Sequence, residues 1–191
     1  MTPRKITGEE LTQEKIINVA REHFVQKGYN QVSMRQIAKE LNCSHGAIYY
    51  HFKNKAELFY AIVQADYAFL DQLLIQTLTK SYRSDEEALK EILLTFIHFG
   101  LTYKSHFEFM FLTKNSEMEP YFETGPNESY QRFAEAVAKL VPNTLSPSKI
   151  WCLFLALIGF VTKYVYSDTS YEEVKNLAKE YTSFLIRGLK T

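Results

Sequence analysis

Residues 33–55, Ser33-Met-Arg-Gln-Ile-Ala-Lys-Glu-Leu-Asn-Cys-Ser-His-Gly-Ala-Ile-Tyr-Tyr-His-Phe-Lys-Asn-Lys55, decide the fold. Ser33 and Gln36 have the spacing of a capping box, in which the serine accepts a backbone N–H and the glutamine reaches back to the cap. Ile37, Ala38 and Leu41 then form an apolar stripe at helical spacing, and Asn42 is a residue that tolerates the left-handed backbone of a tight helix stop. Ser44 is placed to cap a second helix carrying Ile48 and Phe52 on one face. Asn54 and Glu57 repeat the capping pattern for a third. The order helix, turn, helix, turn, helix leaves no room for a strand. It is the layout of a helix-turn-helix, whose second helix enters a DNA major groove.

Working outward, the spacing predicts a long helix from Asn54 to about Lys80, apolar at Leu58, Phe59, Ile62, Ala65, Phe69 and Leu73. Ser84 and Glu87 cap the next, which runs toward Ser105, and a short helical piece follows around 107–112. Residues 114–127, with Pro120, Gly125 and Pro126, read as a loop. Pro126 opens a helix that ends before Pro142, Ser146-Pro147 opens another through Tyr166, and Ser170 and Glu173 cap the last, to about Leu189. The expected class is all-α, about nine helices: an N-terminal three-helix helix-turn-helix domain (1–55) joined by a long helix to a C-terminal helical domain (56–191).

Composition agrees. Of 191 residues 46% are hydrophobic and 15% aromatic, enough for a substantial core. The net charge of zero argues against a nonspecific polyanion binder. Charge is unevenly spread, with nine Lys/Arg against six Asp/Glu in residues 1–60 and thirteen against sixteen beyond. A modestly basic N-terminal third suits binding in which a few phosphates position the protein and base edges supply choice. Arg4 and Lys5 form either a basic arm or a solvated terminus. Cys43 and Cys152 fall in different expected domains and do not read as a disulfide. Residues 2–14 are polar and charged, unlike a signal peptide. The most apolar run, residues 151–161, is too short to span a bilayer, so the expected location is the cytoplasm. No nucleophile–base spacing, phosphate loop or metal cluster is visible, which points away from an enzyme and from a metal or other cofactor.

Residues 16–58 resemble the DNA-binding domain of TetR-type (tetracycline-repressor-like) bacterial transcriptional regulators. Ile16, Ala20, Phe24, Gly28 and Tyr29 carry the resemblance before the motif, and Ile37-Ala38 within it. Ala47-Ile48-Tyr49-Tyr50-His51-Phe52, Lys55 and Leu58 carry it afterwards. One departure is Asn42, where the family usually has glycine. The resemblance implies which residues meet double-stranded DNA. Arg35 matches a position that reaches a base or phosphate. His45, Gly46 and Ala47 match the exposed start of the recognition helix, where His45 can donate to a guanine and Ala47 can touch a thymine methyl. Tyr49, His51 and Lys55 match phosphate-contacting positions, with Ser33 and Ser44 as further donors. Tyr50 is open between DNA contact and packing under the long helix.

The family also implies a small-molecule effector pocket among the C-terminal helices, and the aromatics Phe96, Phe99, Tyr103, Phe107, Phe111, Tyr121 and Phe154 are its candidate lining. Such a lining would suit a small hydrophobic or aromatic effector. His98, Lys104, His106 and Lys163 either orient it or reach to water. The helix from Ser146 is apolar almost all round, unlike a surface helix. It is either the buried centre of one subunit or, through Trp151, Leu155, Ile158 and Gly159 with Tyr181, Phe184 and Leu185 of the last helix, a homodimer interface. The function implied is a homodimeric repressor released from a palindromic operator by an effector. The alternative is a helical interaction protein with a degenerate helix-turn-helix and no operator.

Overall fold

In the computed structural model, which describes residues 11–113, 125–141 and 145–189, nine α-helices and no strands are found among the described residues. They are α1 (Gln13–Lys27), α2 (Met34–Glu40), α3 (His45–His51), α4 (Lys55–Leu78) and α5 (Asp85–Thr102), then α6 (Lys104–Phe107), α7 (Gly125–Leu140), α8 (Pro147–Val165) and α9 (Tyr171–Leu189). Residues Glu108–Leu112 continue α6 as a wider π turn. The helices group into two compact units, Met1–Ile62 and Val63–Thr191, with residues of α4 in both.

In the first unit the local signals act as expected. Ser33 accepts from Gln36 N at 3.4 Å while Gln36 Oε1 accepts from Ser33 N at 2.8 Å, completing the capping box of α2. At its other end Asn42 takes φ 50°, the only non-glycine residue with positive φ among the described residues. Asn42 N donates to Lys39 O and Cys43 N to Ala38 O, the paired bonds of a Schellman stop. Gly28 ends α1 at φ 76°, a conformation that costs a side-chain-bearing residue dearly. Ile16, Ala20, Phe24, Ile37, Ile48, Leu58 and Phe59 are all buried, and the rings of Phe24, Tyr29 and Phe59 lie 5.2–5.7 Å apart as a mutual aromatic core.

The second unit is built round α5, which packs on α8, α9, α7 and α6. Its Gly100 permits a close crossing: a Cβ there would lie 2.5 Å from Val161 Cγ1 on α8. By length and composition α4 and α8 could each cross a membrane. The eleven-residue run read as too short is thus part of a 19-residue helix, since Ser146-Pro147 starts it earlier and Thr162 to Val165 continue it. That signature also belongs to a core helix, and α8 buries Ile150, Leu153, Phe154, Leu157, Val161 and Val165. Of the remaining expectations, Pro120, Tyr121 and Pro142 lie outside the described residues, as do Arg4 and Lys5.

Candidate nucleic-acid interface and interior cavity

Helix α3 is anchored by one fully buried side chain, Ile48, with Phe52 buried just past its end. Everything else on it faces outward to some degree. Ser44 caps the helix by accepting from Ala47 N at 3.1 Å. His45, Gly46 and Tyr49 are exposed, and the His45 and Tyr49 rings meet edge to face at 4.6 Å. Tyr50 is 87% exposed, so the packing role left open for it is not realised in this unit. His51 is half-buried against the edge of Tyr50.

Seven-residue α2 brings Ser33 and Arg35 to the same side. Ser33, Arg35, His45, Tyr49 and Lys55 line one open depression of about 420 Å³, together with Val32, Met34 and Asn54. Five residues singled out in the sequence therefore share one surface. Lys55 has a further partner. Its half-buried ammonium donates to Tyr29 O at 2.8 Å and stands 4.2 Å from the Tyr29 ring centre. Cys43 is half-buried in the turn, and burial pushes its thiol pKa up, which disfavours the reactive thiolate.

In the second unit a cavity lies among α4, α5, α7 and α8, with Phe111 of the π turn. Of the aromatics proposed from sequence, Phe96, Phe111 and Phe154 line it. Phe99 and Phe107 do not: both are wholly buried in the core beside it. Tyr103 is partly exposed and packs on Phe69. Tyr67, Tyr130 and Phe133 complete the aromatic wall, and Asp71, Thr95 and Ser129 add polar groups. The sequence reading missed these six because they come from three helices and carry no common motif. The free space is about 30 Å³, room for a single water-sized body.

Most of the polar residues singled out in this unit have structural partners. Tyr67 donates to Met110 O at 3.0 Å, serving a carbonyl of the π turn, and burial beside Asp66 pushes its phenol pKa well up. His106 Nδ1 lies 2.9 Å from the buried Asp66 carboxylate. Lys104 donates to the carbonyls of Ser167 and Thr169, His98 meets the Tyr171 ring, and Lys163 is exposed.

Helices α8 and α9 keep an apolar face uncovered. Trp151, Leu155, Leu177 and Phe184 are 46–63% exposed, Gly159 is exposed with open space around it, and Ile158, Tyr181 and Leu185 are half-buried. The buried-centre reading of α8 does not hold for this face, where Trp151, Leu155 and Gly159 are exposed in the single chain.

Residues 16–62 match the family described as "Bacterial regulatory proteins, tetR family". Over 189 residues the chain is 24% identical to the HTH-type transcriptional regulator AcrR of Shigella flexneri, a match covering 92% of this chain and 87% of that protein. An HTH-type transcriptional regulator of Staphylococcus aureus (strain bovine RF122 / ET3-1) is 32% identical over 93 residues, about half of each protein (48% and 49%). Among solved structures, FadR of Bacillus subtilis in complex with stearoyl-CoA shares the fold with a TM-score of 0.71 at 20% identity, over 93% of this chain and 99% of that one. A TetR/AcrR-family regulator of Thermobifida fusca does so with a TM-score of 0.68 at 23% identity, over 92% and 97%. With caps, stop and exposed second helix all in register, residues 16–62 are a helix-turn-helix domain of the kind that the tetR family of bacterial regulatory proteins carries.

Proposed function

We propose that the protein works in the cytoplasm as a homodimeric repressor, bound to a palindromic operator and released from it by a small hydrophobic or aromatic effector. The observation that carries the proposal is the outward face of α3. A helix anchored by Ile48, with Phe52 just past its end, leaves His45, Gly46, Tyr49 and an almost fully exposed Tyr50 on its outward face. In this reading His45 and Ala47 meet base edges, with Gly46 letting the backbone approach. Ser33, Ser44, Tyr49, Tyr50, His51 and Lys55 hold phosphates, and Arg35 takes either.

The two recognition helices of a dimer must meet successive major grooves, about 34–36 Å apart. The uncovered face of α8 and α9 supports a two-fold contact that would supply the second copy. Residues 1–55 are assigned to DNA binding and 56–191 to effector binding and dimerisation. An effector that prefers the released arrangement shifts the dimer off DNA by no more than its differential affinity for the two states. Helix α4 is the covalent route, because its residues belong to both units. The aromatic cavity favours an effector with an apolar part, and the solved protein in complex with stearoyl-CoA holds a ligand with a long apolar chain.

Selection of the purified protein against random duplex DNA at near-physiological salt tests the proposal. An enriched palindrome with half-sites about one helical turn apart is the expected result. No enrichment from a folded dimer, even after refolding to strip any co-purified effector, would overturn it in favour of an interaction protein.

A further inference from the structure

His45 and Tyr49 stand one helical turn apart on the exposed face of α3, and their rings meet at 4.6 Å with 70° between the planes. The contact follows from helix geometry. A helical Cα–Cβ bond tilts toward the N-terminus, so a side chain leans back over the one four residues before it. Neither ring has a hydrogen-bond or ion-pair partner among the described residues, and Tyr49 is the only aromatic neighbour of His45 among them. Gly46 brings no side chain to the helix start, and a Cβ there would meet only Ser44 Oγ, at 4.0 Å. Tyr49 lines the open depression together with Val32 and Met34, both buried.

We propose that Tyr49 is a positioning residue for His45: its ring holds the imidazole in the attitude that reads a guanine edge, while its hydroxyl is left for a phosphate. This rests on the reading of α3 as the recognition helix and divides the work of one side chain between two of its parts. In the major groove guanine N7 and O6, adenine N7 and thymine O4 all accept hydrogen bonds. An imidazole free to turn at the start of a helix finds one of these acceptors on three of the four bases, and so discriminates poorly. A ring held on one side presents one edge in one direction. It then bonds only where an acceptor stands in that direction, and guanine offers two adjacent ones.

The contact has the strength this role needs. An aromatic pair in edge-to-face geometry favours the held rotamer by about two- to tenfold over the free ones, and that ratio passes into base choice rather than into overall affinity. Ring and hydroxyl are separable by substitution. Phenylalanine keeps the ring and removes the hydroxyl; leucine removes both and keeps the helix propensity and an apolar contact with the depression. The difference between the two variants is therefore the ring alone.

Selection from random duplex DNA tests this with four full-length chains: the parent, His45→Ala, Tyr49→Phe and Tyr49→Leu. His45→Ala locates the base position that His45 reads. There the parent should prefer guanine by about tenfold. Tyr49→Phe should keep that ratio while binding every sequence more weakly, and Tyr49→Leu should cut it about fivefold with the other positions unchanged. The ring contact is read separately, without DNA, from the imidazole proton resonances of His45, assigned by their loss in His45→Ala. The neighbouring ring should displace them in the parent and in Tyr49→Phe but not in Tyr49→Leu. If Tyr49→Leu does not fold, Tyr49→Met supplies the chain without a ring. A guanine preference that survives in Tyr49→Leu, an equal loss of preference in Tyr49→Phe, or imidazole resonances alike in all three chains would each overturn the inference and leave α3 as the recognition helix. No position relaxed in His45→Ala, or no sequence enriched by the parent, would overturn it together with the reading it rests on.

Discussion

Lys55 Nζ is bonded to the carbonyl oxygen of Tyr29, 26 residues earlier, and lies over the ring of the same residue. The side chain expected to serve DNA thus also ties the start of α4 to the turn after α1. Lys55→Ala should therefore cost stability, about 1 kcal/mol from a charge-assisted bond and a cation–π contact at a half-buried site. A lowered urea midpoint would show it, together with weaker binding to every DNA sequence alike. An unchanged midpoint would mean that the Tyr29 contact contributes nothing and that Lys55 serves phosphate alone.

Along α3, base reading and phosphate contact should separate by residue. His45→Ala should relax preference at one base position, worth about 1–3 kcal/mol, while Tyr49→Phe should weaken all sequences uniformly and leave the specificity profile unchanged. A panel of singly substituted operators distinguishes them. Because His45 and Tyr49 touch edge to face, the two effects should be less than additive in the double variant.

How far the sequence was legible follows the range of the interactions involved. Ser33 with Gln36, Ser44 with Ala47, and the Asn42 stop are all settled within five residues of chain, so the helix-turn-helix could be read from spacing alone. The Asn42 departure from the family's glycine proved conformationally equivalent, at φ 50°. The cavity was another matter. Phe96, Phe99 and Phe107 satisfy the same helical periodicity, yet only Phe96 reaches the cavity, because voids form where side chains from several helices fail to meet. Its polar wall joins Asp71 to Ser129 and Arg132 across 58 and 61 residues, a pairing that no local pattern signals.

The α5–α8 crossing makes a steric prediction. Gly100→Ala would drive a methyl into Val161 and Phe107, whose nearest atoms lie 2.5–3.0 Å from the new carbon. Overpacking of that kind costs about 1–3 kcal/mol. Val161→Ala in the same chain should recover much of it, so the double variant should melt above Gly100→Ala alone. Without such recovery, the strain would have to be carried by Phe107 or the backbone.

The uncovered face of α8 and α9 makes the last prediction. Leu155 and Phe184 are 47% and 63% exposed in the single chain, so charging them removes little internal packing. Leu155→Arg or Phe184→Glu should leave the helical content and unfolding midpoint within about 0.5 kcal/mol of the parent monomer, as surface changes do. If this face joins two copies, each variant should sediment as a monomer, since two like charges would meet across the two-fold axis. Operator affinity should collapse with the dimer, because one recognition helix grips only a half-site. A charged variant that still sediments as a dimer would move the interface elsewhere, and the exposed apolar face would then need another occupant.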